Sequence, residues 1–241
     1  MPLYSDEGIV LRTTKLGEAD RIITLLTREH GKVRAVASGA RRVKSHFGAR
    51  LEPFMRDSIL CATGRSLDHI SQAVCIGAYA RAISADYKSY LAASVICEIT
   101  DKILDTEHEP APAYYQLLLG ALIALARRRH QPWQIGESYV LRAMAIAGWR
   151  PHLSSCVVCG KTDGLTSFSV HLGGALCRSD HAADAVGLTE TQFAQLRALS
   201  LGDWDWCGGR RDACVAALVE EWAQYYLERP LRSLRLLDYE T

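Results

Sequence analysis

The feature that most limits the possible folds is a change of hydrophobic period near Gly77. Before it, apolar residues come in short runs rich in β-branched side chains and broken by turn residues. Gly8-Ile9-Val10-Leu11-Arg12-Thr13-Thr14 and Arg21-Ile22-Ile23-Thr24-Leu25-Leu26-Thr27 are two such runs. Glu29-His30-Gly31-Lys32 reads as a hairpin turn in which Gly31 supplies a positive φ. Lys32-Val33-Arg34-Ala35-Val36-Ala37 alternates polar and apolar residues as a half-buried strand does. A basic loop follows over residues 38–50, then strands over 54–63 and 66–76 joined by Thr63-Gly64-Arg65. Five short strands with closely spaced turns predict a small closed barrel.

After Gly77 the apolar spacing becomes three and four, which predicts helices. They run over residues 80–104, 114–129 and 132–147, with a breaker at Glu107-His108-Glu109-Pro110-Ala111-Pro112. Pro132 suits a first helical turn and Gly148 a stop. Residues 150–186 lose the helical period and gain Cys, Gly, His and Ser. Thr189 and Gln192 fit a capping box, and a last helix spans 211–227 before Pro230. The expected architecture is α+β with several domains. A barrel occupies 1–78, a helical domain 79–149 and 187–241, and a cysteine-bearing insert 150–186.

Hydrophobic residues make up 49% and charged residues 23% of the chain, which excludes pervasive disorder and fibrous folds. No run of about 18 apolar residues predicts a membrane span. The first residues lack a basic stretch leading into an apolar one, so a cytoplasmic protein is the expectation. Net charge is +1, but residues 28–56 hold Arg28, Lys32, Arg34, Arg41, Arg42, Lys44, Arg50 and Arg56 against Glu29 and Glu52. A local cluster of that kind can bind a polyanion on a nearly neutral chain.

Eight cysteines suggest no disulfide framework in a reducing compartment. Cys61, Cys75 and Cys97 read as small core residues, and Cys207 and Cys214 as core or partly exposed. Cys156-Val157-Val158-Cys159-Gly160 and Cys177-Arg178-Ser179-Asp180-His181 are different. A Cys-x₂-Cys turn, a third thiolate and an imidazole make a tetrahedral set of Cys156, Cys159, Cys177 and His181. Full occupancy by protein ligands implies structural Zn²⁺ with no open position. An insert with few large hydrophobes would draw folding free energy from that ion. His171, His152 and Asp180 compete for the fourth position. Redox chemistry is disfavoured, because the pair does not follow a strand and open a helix.

The basic stretch supplies candidate nucleic-acid contacts at Lys32, Arg34, Arg41, Arg42, Lys44 and Arg50, with Phe47 as a base-stacking candidate. The OB-fold is one small barrel that often binds single strands. A solvated loop with an inward Phe47 is the plainer alternative. Arg127, Arg128 and Arg129 suit a helix C-terminus, or a second DNA contact or dock for an acidic peptide. No nucleophile elbow, phosphate loop, His-Glu-x-x-His or dinucleotide fingerprint is present, so no enzyme is expected. Gly202-Asp203-Trp204-Asp205-Trp206 reads as an interhelical loop.

Several motifs together resemble the RecO family of bacterial DNA repair proteins. They are Glu7-Gly8-Ile9-Val10-Leu11-Arg12, Gly17-Glu18-Ala19-Asp20-Arg21-Ile22, Gly39-Ala40-Arg41-Arg42-Val43-Lys44-Ser45, Leu51-Glu52-Pro53-Phe54, the Cys156/Cys159 knuckle and Arg229-Pro230-Leu231-Arg232-Ser233. The likeness covers essentially the whole chain in the same order. It implies an N-terminal OB-fold and a helical domain with an inserted zinc-finger-like module. It also implies binding of single- and double-stranded DNA, annealing of complementary strands, and work within the RecFOR recombination pathway. The implied partners are RecR and the acidic C-terminal tail of single-strand-binding protein (SSB), with RecA loaded indirectly onto SSB-coated DNA. The implied location is cytoplasmic and nucleoid-associated. Many zinc-bearing members end in a second Cys-x₂-Cys, which would place the last ligand at Asp180, one step before His181.

Two other readings stand beside the DNA mediator. A zinc hydrolase or deaminase would need an open metal position and a nearby Glu, and no Glu lies between Cys156 and His181. A zinc-containing RNA-binding or transcription-associated adaptor is compatible with the barrel and loop alone.

Overall fold

The computed structural model describes residues 2–207, 209–231 and 233. Arg232, part of the C-terminal motif above, lies outside them. The chain is mixed α+β and divides into two compact units, Met1–Arg127 and Arg128–Thr241.

In the first unit, β1 (Leu3–Leu16), β2 (Asp20–Thr27), β3 (Gly31–Ala37), β4 (Met55–Ala62) and β5 (Asp68–Ala78) close a barrel in the order β1-β2-β3-β5-β4. All neighbours are antiparallel except β3 and β5, joined in parallel by Ala35–Asp68 and Val36–His69. That short parallel seam closes the barrel. A register shift between Val10 and Arg12 bends β1, so one strand serves both β2 and β4. Inward-facing Val10, Ile23, Leu25, Val33, Ala35, Ile59, Cys61 and Ile70 fill the interior. Gly8 also belongs to the interior, since a Cβ there would lie 2.8 Å from Leu25 Cδ2. Gly31 is fixed by two demands: its φ is +66°, and a Cβ would fall 1.7 Å from the Glu109 carbonyl oxygen.

Three helices complete this unit: α1 (Tyr79–Ser84), α2 (Tyr87–Ile103) and α3 (Pro112–Arg127). The single helix expected over 80–104 is broken at Asp86, which leaves the helical region and accepts a hydrogen bond from Ser89 N at 2.8 Å. Charged pairs tie the helices to the barrel wall. Arg12 meets Asp101 of α2 at 2.8 Å, and Arg56 binds Glu7, to which Tyr115 of α3 also donates.

The second unit holds α4 (Pro132–Ile146), α5 (Glu190–Leu201) and α6 (Ala213–Leu227), with β6 (Leu165–Ser169), β7 (Gly174–Cys177) and β8 (Val186–Gly187) forming a three-stranded sheet. The expected capping box is present at Thr189 and Gln192, and Asp212 caps α6 through Cys214 N and Val215 N. The sheet packs on α6 where Phe168 meets Trp222 at 5.6 Å between ring centroids. Trp222 Nε1 also donates to the Trp149 carbonyl at 3.2 Å.

One barrel residue breaks the apolar pattern. Asp57 of β4 is fully buried, and neither carboxylate oxygen has a partner among the described residues. Burial pushes its carboxyl up to about 7, with Arg50 pulling weakly the other way. The folded state therefore holds a proton that the unfolded chain has already lost. Stability is full below about pH 4 and falls as pH rises to about 7. Asp57→Asn removes that loss. In urea unfolding it should match the wild type near pH 4 and exceed it at pH 8 by roughly 1–3 kcal/mol.

Candidate nucleic-acid interface and metal centre

The basic loop, residues 38–54, connects β3 to β4 as a chain of tight turns. It is anchored at both ends. At its start, Gly39 N donates to Asp20 Oδ1 at 2.7 Å, and Arg41 N donates to the Ala19 carbonyl at 2.8 Å. At its end, Arg21 pairs with Glu52 at 2.7 Å and Phe54 N donates to the Val10 carbonyl at 2.9 Å. Between these points Phe47, Leu51 and Phe54 are buried; Phe47 and Leu51 join the barrel core, and Phe54 meets Tyr90 edge-on. The polar side chains between the anchors must then face water.

Arg41, Arg42, Lys44 and Arg50 are all exposed on this loop. Arg41 donates to the Gly17 carbonyl at 3.0 Å and Arg50 to the His46 carbonyl at 2.7 Å, contacts that leave their charge uncompensated. Among the described residues none of the four has a carboxylate within ion-pair distance.

The other sequence candidates fare differently. Phe47 is 2% exposed, so it cannot stack on a base; it is an anchor of the loop. Lys32 is buried and donates to the carbonyl and carboxylate of Asp101 at 2.8 and 3.2 Å. Arg34 is held by Glu107. Both point from β3 toward the helical side of the unit, and alternation along a strand put them there. Despite its burial, Asp101 stays below the usual carboxylate range because Arg12 and Lys32 hold its charge. Arg127, Arg128 and Arg129 are exposed, and the division between the two units falls between the first and second of them.

The cysteine cluster assembles in the second unit. Ligand atoms of Cys156, Cys159, Cys177 and Asp180 all lie within 4.8 Å of one another. Cys156 begins a turn closed by Gly160 N donating to its carbonyl at 2.9 Å, with Gly160 at φ +78°. Cys177, at the end of β7, begins a second turn in which Asp180 N donates to the Cys177 carbonyl at 3.2 Å. The Cys159 and Cys177 sulfurs are 3.7 Å apart. A tetrahedral ion with Zn–S bonds of about 2.3 Å would set ligand sulfurs about 3.8 Å apart, so the donor set fits such an ion.

The structure brings Asp180, and not His181, to the three thiols. His181 is exposed and outside the cluster. Asp180 follows Cys177 by three residues, as Cys159 follows Cys156, and it is the residue of that segment that reaches the cluster. The other candidates are engaged elsewhere: His152 Nε2 with Ser155 Oγ at 2.6 Å, and His171 with Asp184 at 3.8 Å and the Tyr225 ring.

Electrostatics at the cluster favour a cation. Burial opposes ionisation of Cys156, but backbone amides of Cys159, Cys177 and Val158 outweigh it and lower its pKa. The Asp180 carboxylate pushes the Cys159 thiol up to about 12. Asp180 itself is held below the carboxylate range by the thiols of Cys159, Cys156 and Cys177. Four acidic donors, two from each of two tight turns, crowd one point. Such a closed set could hold a metal ion structurally, leaving no position for a reacting water.

Family models described as Recombination protein O N terminal and Recombination protein O C terminal match residues 1–79 and 84–235. The DNA repair protein RecO of Bifidobacterium adolescentis is 57% identical over 250 residues, covering 99% of this chain and 100% of the relative. The same-named protein of Bifidobacterium animalis is 58% identical over 240 residues, with 99% and 100% covered. That of Thermobifida fusca is 42% identical over 241 residues, with 99% of each covered.

The geometry predicts which variants keep a bound metal. Asp180→Ala and Cys177→Ser should lose stoichiometric metal from the purified chain, and His181→Ala should keep it. Elemental analysis of the three preparations reads the difference directly.

Proposed function

The chain belongs to the RecO family of DNA repair proteins, and from that membership we propose that it is a non-enzymatic recombination mediator that binds single- and double-stranded DNA and anneals complementary strands. The observation that carries the reading is the basic loop. Four exposed cations without carboxylate partners stand on a barrel whose wall cations are mostly paired. The strand order, with the parallel β3–β5 seam, supports assigning the barrel as an OB-fold. The loop docks on the β1–β2 turn through Gly17 and Ala19, beside a connection that OB-folds use for oligonucleotides.

Annealing follows from these parts without acid, base or nucleophile. Two DNA strands repel each other. A cationic loop neutralises phosphates of both, releases their counterions and raises their local concentration. Phosphate contacts carry no sequence information, so the activity is expected to be sequence-tolerant. The metal ion is assigned as Zn²⁺, which in a closed site would brace the two turns of the small sheet. That role suits a module whose own apolar cluster is limited to Leu176 and the ligand cysteines with partly buried Val157, Leu165, Ala182 and Ala185.

Family membership supports the further roles of pairing with RecR, engaging the acidic tail of SSB and helping to load RecA. For the tail, the α5–α6 connection offers exposed Leu201 and Trp206 beside exposed Arg210, the apolar and cationic ingredients that such a peptide needs. Arg211 is unsuited, because Glu137 holds it. No described helix is long and apolar enough to cross a membrane. A cytoplasmic, nucleoid-associated location accords with that and with the DNA repair role.

Reversing Arg41, Arg42 and Lys44 to Glu should lower affinity for a 30-nucleotide single strand at least tenfold at low salt. It should flatten the slope of log affinity against log salt by about three contacts' worth. The melting temperature should stay within about 2 °C, since the three side chains bury nothing. Fluorescence anisotropy, with strand annealing on the same preparations, provides the check. Equal binding of RNA with no annealing would favour the adaptor reading instead.

A further inference from the structure

Phe47 and Phe54 are the only Phe, Tyr or Trp residues of the basic loop, and both are buried. The loop therefore offers cations to phosphates without such a ring for a base. Exposed rings lie beside it on α2. Phe54, which ends the loop, meets Tyr90 edge-on with ring centroids 5.7 Å apart. Phe54 stands four residues beyond Arg50, a stretch of chain that spans at most about 14 Å. Turns closed by Glu52 N on the Ala49 carbonyl and Met55 N on the Glu52 carbonyl shorten it further.

Tyr90 stays 43% exposed in spite of that contact, and Tyr87 is 62% exposed. Three residues apart on one helix, the two are neighbours on one face. The rest of α2 hides its apolar side chains, among them Leu91, Val95, Ile96 and Ile99. Two large rings left in water at the start of such a helix mark an interaction site. The charge around them is positive. Arg81 and Lys88 are exposed in the segment 79–90, and its one carboxylate, Asp86, is occupied in capping α2 through Ser89 N at 2.8 Å. With Arg41, Arg42, Lys44 and Arg50 on the adjoining loop, the surroundings suit a polyanion. A polyanion that also presents flat apolar faces is a single strand of nucleic acid.

We propose that Tyr87 and Tyr90 form a stacking platform for unpaired bases, placed so that one strand can lay its phosphates on the basic loop and its bases on the rings. The inference rests on the loop being the DNA-binding surface. It adds what the loop lacks, a means to tell a single strand from a duplex. Phosphates are present in both, and the cations hold both. In a duplex the base faces are covered by neighbouring pairs and do not reach the rings. The platform thus adds affinity for the strands that enter annealing and none for the duplex that leaves, which favours release of the product.

The test is the affinity of the full chain for three fluorescent ligands: 30-nucleotide oligo(dT), an abasic strand with the same phosphates, and a 30-base-pair duplex. The wild type should bind oligo(dT) about tenfold or more tightly than the abasic strand, as stacking of one or two bases entails. The pair Tyr87→Ala and Tyr90→Ala should bring oligo(dT) down to the abasic level and leave the abasic strand and the duplex as they were. Tyr87→Phe with Tyr90→Phe, which keeps both rings, should restore the preference. Tyr87→Ala alone leaves the Phe54–Tyr90 contact in place and should lose part of it. Photocrosslinking of the wild type to an oligonucleotide carrying 5-iodouracil, mapped by peptide mass spectrometry, needs no variant, and crosslinks to Tyr87 or Tyr90 are expected. Three results overturn the inference and leave the loop's role standing: a wild type without preference for oligo(dT) over the abasic strand, an alanine pair that keeps the preference or weakens all three ligands alike, or crosslinks confined to other residues. A wild type that binds none of the three ligands overturns the DNA-binding reading of the loop and this inference with it.

Discussion

The candidate DNA surface depends on the burial of three side chains, Phe47, Leu51 and Phe54, in a segment that otherwise has no regular structure. Burying such residues stabilises by about 1.5–3 kcal/mol each. That is enough to hold a turn-rich connection against the barrel once Asp20 and Val10 have fixed its ends. With the apolar groups turned inward, Arg41, Arg42, Lys44 and Arg50 have nowhere to go but water. The loop is therefore a presenting device: its hydrophobic residues decide where its charges point.

Four cations of the barrel wall show the opposite arrangement. Lys32, Arg34, Arg12 and Arg56 lie on the wall that meets the helices, and each finds a carboxylate there. They join the helical side of the unit to the barrel and have their charge matched there. A cluster that looks uniform along the sequence is thus sorted in space into a structural set and a free set. The sorting follows from strand alternation, which sends Lys32 and Arg34 to one face of β3, and from the carboxylates of Asp101 on α2 and Glu107 in the α2–α3 connection on that side.

Much of this was legible in the sequence. The switch of period at Gly77, the turn at Gly31 and the capping box at Thr189 each depend on local patterns, and the structure has all three. What was not legible depends on contacts distant in sequence. The role of Phe47 could not be decided until the barrel mouth beneath it was known. The pairing of Lys32 and Arg34 is invisible in the sequence because their partners lie some seventy positions away. At the metal centre the sequence leaves Asp180 and His181 as competing fourth ligands, and the structure brings Asp180 to the three thiols. Asp57 gave no signal at all, since an aspartate in a strand of mixed polarity looks like an outward-facing residue.

On the reading proposed above, the loop's unpaired cations, and not the cations of the barrel wall, meet the phosphates. Arginine-selective modification with phenylglyoxal, read by mass spectrometry with and without single-stranded DNA, tests this most directly. DNA is expected to protect Arg41, Arg42 and Arg50 and to leave the reactivity of Arg34 and Arg56 unchanged. Protection of Arg34 or Arg56 with the loop arginines still reactive would contradict it.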